Sequence, residues 1–183
     1  MIEEIMTNGE WLNALEALEY AANQGDGTAM LAAIDSLAYA SLQHMLFTVN
    51  RFDEDAVRVD RVYSSNPEAY PLGGSKEKRG TKFGQHVLLN KQVFIGEGQQ
   101  AIRDMFDDHE VIRSLGVSSI VNAPVVLSGR CLGTVNVSLR EGKVPSAKAG
   151  VVRLAAVLAA PALALIESGK HREAALSPQQ PRS

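Results

Sequence analysis

Leu115-Gly-Val-Ser-Ser-Ile-Val-Asn-Ala-Pro-Val-Val-Leu-Ser-Gly-Arg-Cys-Leu-Gly-Thr-Val-Asn-Val137 is the stretch that decides the fold. Its β-branched and apolar run is broken once, at Ser128-Gly-Arg130, which predicts two strands, Ser118 to Leu127 and Cys131 to Leu139, folded into a hairpin. Pro124 has no N–H to give a ladder, so it belongs at an edge or a bulge. Gly133 leaves space for the close approach of a helix or loop. Asn122 and Asn136 stand among apolar neighbours, where an amide must be hydrogen-bonded or be costly to bury. They read either as structural amides bonded to nearby backbone or as contacts to a ligand.

Upstream the period is helical. Ile5, Trp11, Leu12, Leu15 and Leu18 share one face of a first helix that Asn8 is placed to cap, and Asn23-Gln-Gly-Asp-Gly-Thr28 ends it. A second helix follows from Thr28 to about His44. From Met45 the period changes. Leu46, Phe47 and Val49 run into the acidic turn Arg51-Phe-Asp-Glu-Asp55, and Val57, Val59, Val62 and Tyr63 return as the second arm of a hairpin. Ser64 to Ser75 is so rich in turn formers that it predicts an irregular excursion, functional or disordered. The basic segment after it, Lys76 to Lys82, reads as a solvated loop or as a gate for an anionic ligand.

Next come a short helix over Lys82 to Asn90, a brief strand at Val93-Phe-Ile95, and a helix from Gln99 to Phe106. A further helix opens at Asp107, with Glu110 completing a capping box, and closes at Gly116. Downstream of the hairpin, a closing helix from about Ser146 to Glu167 contains Pro161, which predicts a kink. The tail from Gly169 has a composition that predicts disorder.

Composition narrows the classes of function. The chain has 183 residues, 45% hydrophobic and 21% charged, enough for one core without disulfides. A net charge of -3 and the lack of a Lys/Arg-dense stretch argue against nucleic acid as a direct partner. The acidic Met1-Ile-Glu-Glu-Ile start is unlike a secretory signal, and Val151 to Ile166, interrupted by Arg153 and Pro161, predicts a buried or interfacial helix rather than a membrane span. Cys131 is the one cysteine, which fits a reducing, cytoplasmic setting. The four histidines show no metal-ligand spacing, so neither metal nor cofactor is expected.

The order helix, hairpin, irregular loop, short helices, hairpin, closing helix resembles a GAF domain over roughly residues 28 to 168. So does the serine-started strand of the opening quotation, reaching a proline, a glycine turn and an apolar-Gly-apolar-Asn strand. The resemblance implies an α+β fold: a profilin-like central antiparallel sheet with terminal helices on one face and, on the other, short helices and loops over a pocket. It divides the chain into residues 1–24 as a dimerising helix, 25–168 as the domain and 169–183 as the tail. Family geometry implies a pocket drawn from Tyr63, Ser65 and Tyr70 on the second strand and irregular loop. Phe83, His86 and Phe94 of the short helix and strand would join it, with Asn122 and Asn136 of the central strands.

GAF domains bind cyclic nucleotides, bilins, haem, small metabolites or nothing, and many dimerise. Asn50-Arg-Phe-Asp-Glu54 echoes the residues of cyclic-nucleotide-binding members, but here they run contiguously through a hairpin turn, whereas in that family they are dispersed. Bilin attachment usually needs a cysteine in a late loop or an extension, and Cys131 lies within a strand. Free methionine-(R)-sulfoxide reductases also resemble stand-alone GAF domains; their chemistry needs a nucleophilic and a resolving cysteine, which disfavours an enzymatic role for this chain. The leading expectation is therefore a regulatory domain binding a small molecule and acting through a partner or a homodimer formed by the terminal helices. A dimerisation scaffold without a ligand is the alternative.

Overall fold

The structure, a computed structural model, describes residues 9–176, with side chains to residue 169. Ile5 and Asn8, expected to begin and cap the first helix, and the tail beyond residue 176 lie outside the described residues.

Two helices come first, α1 (Gly9–Gln24) and α2 (Gly27–Leu42), in an α-hairpin. Asp26 caps α2, its Oδ1 accepting from the Ala29 amide at 3.0 Å, and α1 buries Ala14, Leu18 and Ala21 along one stripe. The strands are β1 (Leu46–Asp53), β2 (Arg58–Ser64), β3 (Ser75–Glu77), β4 (Phe94–Glu97), β5 (Ser119–Leu127) and β6 (Arg130–Leu139), in one antiparallel sheet of order β3-β2-β1-β6-β5-β4. Between β4 and β5 lie two short helices, α3 (Gly98–Met105) and α4 (His109–Ser114), and the closing helix α5 (Ser146–Leu176) ends the chain. This is the α+β, GAF-like arrangement that the sequence predicts.

The hairpin turn is set locally. Ser128 and Gly129 both have positive φ, 50° and 78°, as a type I′ turn requires, and the Ser-Gly pair tolerates it. Alternation then sorts the faces. Phe47, Val49, Val121, Val135 and Val137 point toward α1, α2 and α5 and form the main core with Leu31, Ile34 and Leu163. Two smaller cores lie on the opposite face, one around Phe83, Val87 and Leu88, the other around Ile102, Ile112 and Ile120. Pro124 sits on β5 beyond the last residue that β4 covers, so its missing N–H breaks no ladder bond there.

Several expectations need correction. Asn50 to Asp53, read as part of a turn, continue β1, and the turn itself is Glu54 to Val57. Ser75 to Glu77 leave the irregular excursion as an edge strand on β2. Residues 84–89 wind as a π-helix, the Asn90 amide donating to the Gln85 carbonyl five residues back. The helix expected from Asp107 begins at His109, and Asp108 at its N-cap makes no capping bond, its carboxylate being engaged by Lys76. The closing helix runs through Pro161 to Leu176, so residues 169–176 are helical rather than tail.

Within α5, Ser146–Gly169 contains an 18-residue window with a mean hydropathy of 2.1, and this segment is long and apolar enough to cross a bilayer. In this fold part of that apolar character serves packing: Val152, Ala156, Ala159 and Leu163 are buried in the main core.

Candidate functional site

One row of residues crosses the sheet on the face away from the long helices. Asn122 of β5 pairs with Asn136 of β6, which pairs in turn with Thr48 of β1. The three project together because their neighbours Val121, Val135 and Phe47 are committed to the main core. Their hydrogen bonds run in one direction. Asn136 Nδ2 donates to the Thr48 carbonyl and hydroxyl at 3.4 and 3.3 Å, and Asn122 Nδ2 donates to Asn136 Oδ1 at 2.7 Å. A backbone carbonyl only accepts, so it orients both amides. Asn122 Oδ1 is left as a buried acceptor with no partner among the described residues, on a side chain whose residue is 2% exposed.

The row forms the floor of a cavity of about 80 Å³. Phe83, Phe106 and Ile120 make its apolar wall, with the Phe83 and Phe106 rings 5.8 Å apart. The rim is charged. Arg61 comes from β2, Lys76 from the edge strand β3, Lys78 from the segment after it, and Asp108 from the start of α4.

These rim groups are tied to structure rather than left in solvent. Arg61 Nη1 donates to the Pro71 carbonyl at 3.0 Å, and its guanidinium lies 4.8 Å from the Tyr70 ring centroid, so the irregular loop is pinned to β2 by a cation on an aromatic face. Two backbone bonds between Arg61 and Gly73–Gly74 add to the clamp. Lys76 Nζ meets Asp108 Oδ2 at 2.9 Å and closes the cavity from β3 to α4. Lys78 Nζ stands 5.1 Å above the Phe83 ring.

The electrostatics follow from crowding of like charge in a partly desolvated space. Burial above all, then the Lys76 and Arg61 charges, holds the Lys78 ammonium below the usual lysine range, against the opposing pull of Asp108 and Asp107. Burial, reinforced by the Asp108 carboxylate and opposed by Arg61, pushes the Tyr70 phenol up to about 12, so it stays a neutral donor at neutral pH. The Tyr70 hydroxyl and Arg61 Nε are, like Asn122 Oδ1, buried without partners among the described residues.

Of the residues expected from sequence, Tyr70, Phe83, Asn122 and Asn136 come together at this cavity. The others do not. A β-bulge places Tyr63 on the far face: Val49 pairs with Tyr63 but Asn50 with Arg61, so Val62 is an extra residue that inverts the alternation from there on. Tyr63 therefore packs with Val62 against the main core, its hydroxyl donating to Asp35 Oδ2 at 2.7 Å. Ser65 is spent on backbone, its Oγ accepting from the Phe47 amide at 2.9 Å. His86 holds the Val93 carbonyl at 3.3 Å and presents its edge to Phe94, which packs behind the wall on Phe106.

Sequence reasoning missed Arg61, Asp108, Thr48 and Asn50, which also line the cavity. Strict alternation along β1 would have found Asn50 once the strand was extended. Cys131 packs in the small core with Phe52 and Phe83, and burial raises its thiol, so it is protonated and sequestered rather than poised as a nucleophile. Among the described residues no group of three His, Cys, Asp or Glu side chains is placed to hold a metal ion.

No family model matches the sequence, and no curated protein matches it. Solved structures match its fold at low identity. A segment of a methyl-accepting chemotaxis protein shares 18% identity at a TM-score of 0.66, covering 84% of this chain and 98% of that one. The GAF domain of an Acinetobacter phosphoenolpyruvate-protein phosphotransferase shares 14% at 0.66, covering 90% and 99%. The chromophore-binding domain of an unusual bacteriophytochrome from R. palustris shares 13% at 0.63, covering 87% and 62%. At these identities the likeness is one of fold, and the fold of this chain is that of a GAF-like domain.

Proposed function

We propose that this chain is a ligand-responsive sensory domain: a small polar molecule in the cavity biases the sheet, and the helices on the opposite face pass the response to a partner. One observation carries this reading. Asn122, Tyr70 and Arg61, each with a buried polar atom that has no partner among the described residues, line a single cavity. Each such atom costs about 1–3 kcal/mol when left unsatisfied, so a ligand that pairs with them recovers that cost as affinity. The chemotaxis and phytochrome proteins that share the fold support a sensory rather than a catalytic use.

Native mass spectrometry of freshly purified protein tests the reading. The expected result is a bound small molecule, retained by the parent and lost when Tyr70 and Lys76 are replaced by Phe and Met. Ligand-free spectra, with no thermal shift from any metabolite pool, would instead favour a scaffold.

A second copy of the chain is the partner we propose, with residues 1–24 as the dimerising segment, 25–168 as the sensory domain and a cytoplasmic setting. Leu12, Leu15, Leu154 and Val157 are 47%, 41%, 57% and 68% exposed. Leu15 and Leu154 line an apolar groove of about 520 Å³ with Trp11, Leu18, Leu37 and Leu158. Monomers seldom leave such a patch open, and α1 at about 24 Å with the longer α5 is long enough for the roughly 800 Å² per partner of a standard interface. Leu154→Glu combined with Val157→Glu is expected to halve the mass measured by light scattering. Because both sites are exposed, stability should change by less than about 1 kcal/mol. An unchanged mass rejects this interface.

A further inference from the structure

We infer that the cavity takes a small hydroxycarboxylate, its carboxylate bound by Arg61, Lys76 and Lys78 in competition with Asp108, and its hydroxyl donating to Asn122 Oδ1. The inference rests on the reading of the cavity as a ligand site and names the chemistry that site selects. The lining carries three cations against one carboxylate, Asp108, which is already engaged with Lys76. Lys78 makes no ion pair among the described residues and faces an aromatic ring. Crowded, partly buried cations are relieved by an anion, and a planar carboxylate matches the Arg61 fork.

The opposite pole asks for a donor. The Thr48 carbonyl orients both amides of the floor, so the group that Asn122, a lining residue, has left without a partner among the described residues is an acceptor. An ammonium would serve as a donor but is disfavoured beside three cations; a hydroxyl is not. Strands β2 and β5 are three spacings apart, about 14 Å between backbones, and the long cationic side chains span part of that gap. A two- to four-carbon acid suits the remaining space of about 80 Å³.

Asp108 makes the site a switch. An incoming carboxylate competes with it for Lys76, and Asp108 is the N-cap residue of α4, so binding loosens the contact that ties α4 to the edge strand. Asp108→Asn is therefore expected to tighten binding, the opposite of what removing a ligand contact does.

Calorimetric titration at fixed ionic strength with glycolate, L-lactate and L-malate tests this. Glycolamide and lactamide serve as neutral isosteres, propionate as the acid without a hydroxyl, and inorganic phosphate as the other small anion. At least one hydroxy acid should bind with its amide and propionate at least tenfold weaker, Asp108→Asn about fivefold tighter and Lys76→Met at least tenfold weaker, a tenfold change being about 1.4 kcal/mol. The Lys76 side chain is 47% exposed, so Lys76→Met should keep the parent unfolding midpoint, which confirms that the loss is one of affinity. Equal binding of acid and amide, preference for phosphate or propionate, weaker binding by Asp108→Asn, or no hydroxy acid binding below about 10 mM each overturns the proposal. If the acids fail while the purified protein carries another molecule, the ligand class is wrong and the site reading stands. If neither binds, both fall.

Discussion

Gly133→Val is expected to unfold the protein. A β-carbon at this position would overlap the Asn50 carbonyl of β1 and come within 2.9 Å of the Leu163 δ-carbon from α5. The nearer obstacle is backbone, so no rotamer change relieves it, and β1 and β6 form the central pair of the sheet. Relief means separating the strands on which both the main core and the cavity floor are built. The loss should exceed about 4 kcal/mol, a large share of the 5–15 kcal/mol typical of a domain. The readout is far-UV circular dichroism and solubility of the variant, with Gly133→Ala failing for the same reason. Gly150→Ala is the control, because its β-carbon meets nothing within 4 Å on an exposed part of α5, and it should gain about 0.5–1 kcal/mol. A folded Gly133→Ala protein with the parent midpoint would show that the strands can part cheaply.

Asp35→Ala is expected to cost about 3 kcal/mol. Asp35, on α2, holds two groups at once: His44 Nε2 at 2.7 Å from Oδ1 and the Tyr63 hydroxyl at 2.7 Å from Oδ2. The His44 side chain is 2% exposed and that of Asp35 13%, so water replaces little of what is lost. Burial, then the hydrogen bond and charge of Asp35, pushes the Tyr63 phenol well above its ordinary range, which keeps it a donor at every physiological pH. Removing the carboxylate orphans the buried His44 and the half-buried Tyr63 hydroxyl, at about 1–3 kcal/mol for a buried group. Tyr63→Phe removes one bond and its donor together and should cost only about 1 kcal/mol. The two changes share a partner, so the double variant should fall short of their sum by at least about 0.5 kcal/mol. Chemical denaturation measures all three, and strict additivity or an unchanged midpoint for Asp35→Ala would remove the hub from the account.

This hub shows where sequence reasoning stops. His44 and Asp35 lie nine residues apart and Tyr63 another nineteen on, and none of these spacings belongs to a motif. The contact arises because α2 lies across β2 and the bulge at Val62 turns Tyr63 toward it. The same bulge removed one residue from the cavity. Alternation from Val59 carries both Arg61 and Tyr63 to the cavity face, and the unpaired Val62 that follows Arg61 turns Tyr63 alone to the core. Lys76 and Lys78 were legible as a basic segment, a solvated loop or a gate, but their counter-charge was hidden: Asp108 looked like part of a helix cap and is instead the Lys76 partner, 32 residues away.

By itself the sequence determined what depends on near neighbours: the order of helices and strands, the Ser128–Gly129 turn, the burial of Val121, Val135 and Val137 on one face, and the presence of Asn122 and Asn136 on the other. These rest on periodicity and turn chemistry, which act over a few residues. Only the tertiary structure decided that the two amides are aligned so that one acceptor is left over, and that cations from β2, β3 and the following segment crowd one small space. Strand register and pairing between distant side chains set those features, and each is a property of two segments meeting rather than of either alone.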